Sequence, residues 1–282
     1  MKDIYTYYFS KIRLFIKNFV HKLYINKNEE FIEIIKKNRI YLETVSEFLD
    51  KKNYEENDYG MPPIVFLNIN KKINNLPTYS DLINFLNYKL FNSQLNYLET
   101  GVSVMKNFLQ VDNFLENSLL FAYEIEELNP LFIDEYDTID DNLRTKSALN
   151  EIKYFKGDLG SKKDNLSFNE LLKNIKFDFV FSDAHHQPWS LTWEYKNVIK
   201  ENLNDEFVLY FDDVNFPGIE DVINDIKNDL EVDNEIIYGI SFFTNGWIGQ
   251  YEKFHKNIII STFDVYKILK EEKIKLPSLK KI

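Results

Sequence analysis

The stretch FDFVFSDAHHQPW, residues 177–189, and the stretch EFVLYFDDVNFPG, residues 206–218, decide the fold of this chain. Each contains a short apolar and aromatic run that ends abruptly in acid. Asp183 follows the first run, and Asp212 and Asp213 follow the second. Such runs are typical of strands buried on both faces, as in a parallel sheet. Ligands of an open parallel sheet bind beyond the carboxyl ends of its strands, so these acids mark the expected functional edge.

Strand and helix patterns alternate along the chain from Asn96 onward, which predicts an α/β fold. We expect a seven-stranded, mostly parallel sheet with helices on both faces and an N-terminal helical extension. The connection at 244–247 has no room for a crossover helix, so the last strand is expected to be antiparallel. The predicted strands are 97–100, 119–125, 152–156, 177–182, 207–211, 235–243 and 256–262. The predicted helices are 104–116, 134–149, 168–175, 188–203, 218–230 and 263–271.

The beginning of the chain has helical spacing of its apolar residues and is predicted to form a helical region, 1–90, ahead of a domain at 91–282. We expect this region to act as a cap, an oligomerisation element or a surface contact, in a homo-oligomer. Residues 1–27 hold six basic side chains and one acid, whereas the whole chain has a net charge of −11. Packing of this helix on the body is favoured, and peripheral contact with an anionic membrane or partner is the alternative.

Local signals predict two more helices in this region. Asn28 is a suitable N-cap residue, and the two glutamates after it favour the first turn of a helix. Ser80 and Asp81 predict a second helix start. Between them, the polar segment 51–63 contains a glycine and two prolines and is the predicted linker.

Composition excludes several function classes. The chain has 34 basic and 45 acidic residues, which argues against nucleic acid as its partner. The absence of cysteine excludes disulfides, thiolate metal sites and cysteine nucleophiles. No run of 18 apolar residues is present and the first ten residues lack a secretory pattern, so a soluble cytoplasmic protein is expected.

Residues after the first three predicted strands are typical of a nucleotide-like ligand site. Gly101, in the turn YLETGVS, permits close approach to backbone, and the following helix start offers free amide donors. Glu124 can accept both hydroxyls of a ribose, and Asp158 can meet an adenine amino group. The alternatives are an ordinary strand–helix turn, a surface glutamate and a turn aspartate. The single glycine does not satisfy the dinucleotide fingerprint G-x-G-x-x-G.

The acids after the fourth and fifth strands are the strongest candidate set. Adjacent strands lie about 4.8 Å apart, so Asp183, Asp212 and Asp213 can share one ion. Hard oxygen ligands suit Mg²⁺, with Mn²⁺ or Ca²⁺ as alternatives. The competing interpretation is that these residues only cap turns.

Two neighbouring histidines, His185 and His186, follow the first of these acids. A histidine beside a metal-bound hydroxyl can take its proton, although a structural role is equally compatible with the sequence. Trp189 and Trp193 can form the wall of an apolar or sugar-binding pocket, or they can pack their own helix.

The order of these residues resembles the class I S-adenosylmethionine-dependent methyltransferases, which have a Rossmann-like fold. After the first five predicted strands the chain has, in this order, an acid-x-Gly motif, a single acid, a Gly-Asp pair, a single Asp and an Asp-Asp pair. The segments FVFSDAHH and YFDDVNFPG are most similar to metal-dependent small-molecule O-methyltransferases, such as catechol O-methyltransferase and antibiotic-tailoring enzymes. The resemblance covers 96–262 and implies a catalytic domain at 91–282.

The resemblance implies residue roles. The cofactor S-adenosylmethionine would contact six residues, namely Glu99, Gly101, Ser103, Glu124, Asp158 and Asp183. The metal would bind Asp183, Asp212 and Asp213. Catalysis would use His186, where the catechol enzyme keeps a lysine, with His185 and Asp183 beside it. The chain departs from the family at the second glycine of the cofactor loop, where Ser103, Val104 and Met105 stand.

The function expected from this resemblance is metal-assisted O-methyl transfer to a small molecule, such as a sugar or a sugar-containing natural product. A rival from another class is a catalytically silent Rossmann-like module for assembly or binding. A nicotinamide-dependent oxidoreductase is a weaker rival, because the glycine fingerprint is missing.

Overall fold

A computed structural model describes residues 26–51, 77–102, 105–127, 150–233, 236–244 and 255–282. The predicted helix at 134–149 and Ser103 lie outside these ranges, as do nearly all of the first predicted helix and the linker beyond Lys51. None of the described helices combines the length and the apolar character needed to cross a bilayer.

Seven helices and eight strands are described. The helices are α1 (Glu29–Lys51), α2 (Tyr79–Phe91), α3 (Lys106–Asp112), α4 (Lys162–Leu172), α5 (Pro188–Glu194), α6 (Ile219–Asp233) and α7 (Val265–Glu271). The strands are β1 (Asn96–Thr100), β2 (Leu119–Glu124), β3 (Glu151–Lys156), β4 (Phe177–Ser182), β5 (Leu203–Phe211), β6 (Tyr238–Thr244), β7 (His255–Ser261) and β8 (Lys280–Lys281).

The strands form one sheet in the order β3-β2-β1-β4-β5-β7-β6-β8. Strands β1 to β5 pair in parallel, whereas β7 runs antiparallel to both β5 and β6. The expected Rossmann-like sheet with an antiparallel last strand is therefore confirmed, and the short β8 adds an eighth strand at the edge. The strand order reverses between β1 and β4, which is where ligands of such sheets bind.

Several predicted boundaries are shifted, and two helices differ most from the prediction. The helix predicted at 188–203 ends at Glu194 and continues as a π-helical segment, Tyr195–Ile199, and a 3₁₀ turn before β5 begins at Leu203. The helix predicted at 168–175 begins earlier, at Lys162, because the Ser161 hydroxyl accepts the Asp164 backbone N–H and caps it.

Helices cover both faces of the sheet and bury separate hydrophobic cores. One core unites α1, α2, α3 and α7 with one face, and the other unites α4, α5 and α6 with the opposite face. Asn28 begins α1 as predicted, since its Oδ1 accepts the Phe31 backbone N–H at 2.8 Å. The described helices of region 1–90 therefore share a core with the sheet.

A buried ion pair joins α1 to α2. The guanidinium of Arg39 donates to both carboxylate oxygens of Asp81, at 3.1 and 2.6 Å, and both side chains are buried. Asn38 donates to the same carboxylate at 2.9 Å, and the Thr78 backbone N–H donates to it at 3.0 Å. Thr78 rather than Ser80 is the N-cap, because its hydroxyl accepts the Asp81 backbone N–H.

We expect Asp81→Asn to lower the free energy of unfolding by about 3 kcal/mol, because the change leaves the buried guanidinium of Arg39 without a counter-charge. Urea denaturation monitored by circular dichroism measures the effect. Glu33→Gln is the matched control, since its ion pair with Lys36 is exposed and is worth at most about 0.5 kcal/mol. Equal stability of the two variants would show that the buried pair does not secure α1 and α2.

Candidate functional site

The strand register places the predicted site residues at one edge of the sheet. Thr100 of β1 pairs with Ser182 of β4, which pairs with Phe211 of β5. The hydrogen-bond ladder continues one residue beyond these pairs. The Asp183 backbone N–H donates to the Thr100 carbonyl at 3.0 Å, and the Asp212 backbone N–H donates to the Ser182 carbonyl at 3.3 Å. Both aspartates therefore lie side by side, just beyond the carboxyl ends of adjacent strands.

A cavity of about 220 Å³ lies at the ends of β1, β2, β3 and β4. Its walls include five residues that the sequence analysis assigned to the site, namely Gly101, Glu124, Asp158, Asp183 and His185. The volume is below the roughly 300 Å³ at which pockets for drug-sized ligands begin, so the described walls have room for only part of a ligand of that size.

A larger cavity of about 450 Å³ lies at the opposite end of the sheet. It is formed by α1, the end of α2 and the segment before β2, and its walls include Glu33, Tyr88 and Phe114. We place the functional site at the smaller cavity, because it lies at the carboxyl ends of the parallel strands and at the point where the strand order reverses.

Gly101 is required by its backbone surroundings. Its φ is +75°, a conformation that side chains disfavour, and a Cβ atom there would lie 2.3 Å from the Ala184 Cα. The turn after β1 thus packs directly on the turn after β4. This contact explains the glycine without a ligand, and it also brings the two turns together at the cavity.

Glu124 and Asp158 are held at the cavity wall by their own turns. The Oε1 atom of Glu124 accepts the Ile125 backbone N–H at 2.8 Å, and Oδ1 of Asp158 accepts the Gly160 backbone N–H at 2.7 Å. Glu124 is 8% exposed. These bonds fix both carboxylates at the ends of β2 and β3.

Glu99 occupies a different position from its neighbours in the predicted cofactor set. It is 2% exposed, and its Oε2 atom accepts hydrogen bonds from the Tyr97 hydroxyl at 2.8 Å and from the Asn107 amide at 2.7 Å. Burial raises the pKa of Glu99 to about 8, although both hydrogen bonds oppose the shift. Among the described residues, Glu99 does not line the cavity, and its contact with a cofactor stays a prediction.

Five side chains beyond β4 and β5 form an acid–histidine cluster. Its members are Asp183, His186, Asp212, Asp213 and His255. Nε2 of His186 lies 3.5 Å from Asp213 Oδ2 and 3.9 Å from Asp183 Oδ1. Nδ1 of His255 lies 2.9 Å from Asp213 Oδ1 and 3.4 Å from Asp212 Oδ2. Asp213 is thus shared between two histidine–aspartate groups.

Charge and burial act against each other within the cluster. Burial lowers the pKa of His255, but the interactions of its imidazole N–H with the accepting carboxylates of Asp212 and Asp213 outweigh burial and raise this pKa to about 10. Burial also raises the pKa of Asp212 despite the nearby imidazole. For the half-buried Asp213, the hydrogen bond to His255 outweighs burial and holds the pKa below its ordinary value. The cluster therefore favours a positive charge next to its aspartates.

The site also contains two residues that the sequence analysis missed. His255 begins β7, and the antiparallel pairing of β5 with β7 brings it to the aspartates. Glu194 of α5 is buried, and its carboxylate accepts the hydroxyls of Thr100 at 2.6 Å and Ser182 at 3.1 Å. Burial raises the pKa of Glu194 to about 7. The scarcity of histidine was the available signal for His255, and the π-helical segment after Glu194 was not visible in the sequence.

Aromatic side chains border the cluster on its solvent side. The ring of His186 stacks on Phe216, with centroids 5.0 Å apart and planes at 10°. The ring of His185 lies 5.9 Å from Trp189, which is 60% exposed. Trp193 is further inside, with its indole Nε1 buried. Trp189 and Phe216 thus offer exposed ring faces beside the two histidines.

We expect the pH dependence of stability to depend on Glu99. Its pKa is about 8 in the folded protein against an ordinary value of 4.5, so the folded state keeps a proton that the unfolded chain releases. The contribution of Glu99 to the free energy of unfolding is fully present below pH 4.5, the ordinary pKa, and is lost as the pH rises to about 8, the pKa in the folded protein. Between pH 5 and pH 8 the free energy of unfolding should fall by roughly 2 to 4 kcal/mol from this group.

Glu99→Gln, which mimics the protonated carboxyl, should flatten this slope and stabilise the protein at pH 8. Urea denaturation at several pH values measures it, with the exposed Glu170→Gln as the matched control. A wild-type slope in Glu99→Gln would mean that Glu99 is ionised in the folded protein.

No protein-family model matches the sequence, and no curated protein aligns with it significantly. Among solved structures, the O-methyltransferase from Bacillus cereus in complex with SAH is 15% identical, with a TM-score of 0.45, covering 87% of this chain and 96% of that chain. The magnesium protoporphyrin IX methyltransferase from Synechocystis PCC 6803 with bound SAM is 12% identical, with a TM-score of 0.41, covering 65% and 77%. Spermidine synthase from Thermotoga maritima is 13% identical, with a TM-score of 0.36, covering 66% and 59%. Two of these three are methyltransferases, the class that the sequence resembles, but similarity at this level assigns neither a family nor an activity.

Proposed function

We propose that this protein is an S-adenosylmethionine-dependent methyltransferase. It transfers the methyl group to an oxygen of a small molecule, with a divalent cation at the acid–histidine cluster. The observation that carries the proposal is the position of Asp183, which lines the cavity and also belongs to the cluster. A nucleoside-bearing methyl donor in the cavity and an acceptor at the cluster are then neighbours at one edge of the sheet.

The walls of the cavity suit the nucleoside of the cofactor. Glu124 presents a carboxylate at the end of the second strand, where it can accept the ribose hydroxyls. Asp158 lies at the end of the third strand, where its side chain can meet the adenine amino group. Gly101 allows the turn after β1 to reach the turn after β4 without an intervening side chain.

The donor set of the cluster fits a divalent cation. Asp183, Asp212 and Asp213 would hold it, with hard carboxylate oxygens of the kind that Mg²⁺ and Mn²⁺ prefer. The Oδ1 atom of Asp212 is buried and has no hydrogen-bond partner among the described residues. An unpartnered buried oxygen is costly, and a cation removes that cost. When bound, the ion would supply Lewis-acid polarisation of an acceptor oxygen and a template for it.

The chain's own residues orient the acceptor and receive its proton. The acceptor oxygen attacks the methyl carbon while the carbon–sulfur bond breaks, so S-adenosylhomocysteine leaves and the hydroxyl proton must be taken up. We assign this proton to Nε2 of His186, whose ring is held by Phe216 and which lies 3.5 Å from Asp213. His185 is the second candidate. The exposed rings of Trp189 and Phe216 suit the ring face of a sugar or an aromatic diol.

Calorimetry with S-adenosylmethionine and with NAD tests the cofactor. We expect S-adenosylmethionine to bind and NAD not to bind. Glu124→Gln should weaken cofactor binding about 10- to 100-fold, the equivalent of losing charged hydrogen bonds worth about 1.5 to 3 kcal/mol. The neighbouring exposed Glu126→Gln is the matched control and should bind as the wild type does. Binding of neither cofactor would favour the silent module, and binding of NAD would favour the oxidoreductase.

Removal of the cation should stop methyl transfer without releasing the cofactor. Against a panel of vicinal diols, including catechol and hexoses, we expect EDTA or Asp213→Asn to lower S-adenosylhomocysteine formation at least 100-fold. The dissociation constant for S-adenosylmethionine should change less than threefold. Asp221→Asn, an exposed acid in the first turn of α6, is the control. Full turnover of Asp213→Asn in EDTA would exclude a metal-assisted reaction.

A further inference from the structure

We propose that His255 is a nitrogen ligand to the cation, together with Asp212 and Asp213, and that the site therefore selects a transition-metal ion over Mg²⁺. The inference rests on the metal part of the proposed function and makes it more specific. It does not require that the protein transfers methyl groups.

Strand pairing fixes His255 opposite the two aspartates. Phe211 of β5 pairs with Ile258 of β7, and beyond the strand end the Val214 backbone N–H donates to the Lys256 carbonyl at 3.0 Å. The segments that follow β5 and precede β7 therefore remain side by side past Asp212 and Asp213. The position of His255 beside the aspartates is therefore set by the antiparallel pairing of β5 and β7 and not by a contact between loops.

The distances within this group match those between ligands of one ion. Ligand atoms bound at about 2.0 to 2.2 Å are about 3.0 Å apart when they subtend a right angle and about 3.4 Å apart in a tetrahedron. Nδ1 of His255 lies 2.9 Å from Asp213 Oδ1 and 3.4 Å from Asp212 Oδ2. The corresponding distances for His186 are 3.5 and 3.9 Å. His255 is therefore the better placed ligand, and His186 is left for proton transfer.

A second observation is independent of these distances. Asp212 is 5% exposed, and its Oδ1 atom has no hydrogen-bond partner in the described part of the chain. Tyr210 precedes it by two residues on β5, so the two side chains share one face of the sheet. The Tyr210 hydroxyl is also buried and has no partner among the described residues. An unsatisfied carboxylate oxygen beside a histidine and a second aspartate, with an unsatisfied hydroxyl two residues earlier along the chain, indicates that a bound species belongs here.

The ligand chemistry then selects the ion. Mg²⁺ prefers oxygen ligands and retains water, whereas imidazole nitrogen suits later transition-metal ions such as Fe²⁺, Co²⁺ and Zn²⁺. Two carboxylates and one imidazole leave coordination positions open for an acceptor or water. The chain has no cysteine, so thiolate ligands do not compete with this set. The rival arrangement keeps His255 as an imidazolium paired with both carboxylates and leaves only oxygen ligands for Mg²⁺.

Pulsed electron paramagnetic resonance of the Mn²⁺-loaded full-length protein tests the proposal directly. We expect coupling to a ¹⁴N nucleus in the wild type, its replacement by ¹⁵N coupling after labelling with [¹⁵N]histidine, and its loss in His255→Gln. The matched variant His186→Gln should keep the coupling. Absence of nitrogen coupling in the wild type, or its loss in His186→Gln instead, would overturn the assignment. If His255→Gln does not fold, histidine nitrogen coupling that persists in both His185→Gln and His186→Gln still assigns the ligand to His255 among the described histidines, and loss of the coupling in either variant overturns the assignment.

Metal titration of the EDTA-treated protein provides a second measurement. We expect Co²⁺, followed by its visible absorption, to bind at least 100-fold more tightly than Mg²⁺. His255→Gln should weaken Co²⁺ binding at least tenfold and Mg²⁺ binding less than threefold. Equal affinity for the two ions would overturn the proposal. Calorimetry with S-adenosylmethionine, run in parallel, separates the two ideas, because metal binding without cofactor binding would refute only the methyltransferase.

Discussion

The parallel register of β1, β4 and β5 is the constraint on which the whole site depends. Because Thr100, Ser182 and Phe211 stand in one line across the sheet, the residues that follow begin together at its edge. A slip of one residue would send every side chain of a strand to the opposite face. Asp212 would then point to the opposite face from the one where the cluster lies, and the cluster could not form. The apolar runs of β4 and β5 are buried on both faces, and the acids that follow them mark the ends of the two strands at this edge.

Glu194 secures the same line of residues from the α5 side. The hydroxyls of Thr100 and Ser182 both donate to its buried carboxylate, so one side chain ties the ends of β1 and β4 together. Hydrogen bonds to a charged group are worth about 1.5 to 3 kcal/mol each, which offsets part of the cost of burying the carboxylate. The turns that carry Gly101 and Asp183 therefore start from a rigid base, and their close contact needs no bound ligand to form.

The sequence was sufficient for those parts of the fold that are specified by local pattern. The sheet edge, the acids after β4 and β5 and the antiparallel edge were all predictable, since each depends on apolar runs and the residues that end them. His255 was not predictable, because its position follows from the pairing of strands more than forty residues apart. Glu99 illustrates a different limit. Strand alternation places it on the same face as Tyr97, yet the family resemblance assigns it to the cofactor, and the local pattern agrees better with its buried position.

The N-terminal helices contribute to the chemistry of the site through burial. The ion pair of Arg39 and Asp81 joins α1 to α2. The first residue of α2, Tyr79, is 3% exposed, and its ring centroid lies 5.0 Å from that of Phe181. Burial, followed by the charges of Asp183 and Asp212, raises the pKa of Tyr79 well above its ordinary value. The first turn of α2 is therefore close enough for the charges of the cluster to act on Tyr79, and its buried residues cover the side of the cluster that faces α2. Charges beside such a buried apolar surface interact more strongly than charges in water. The helices that complete the hydrophobic core would therefore also strengthen the attraction of the cluster for the cation that we propose.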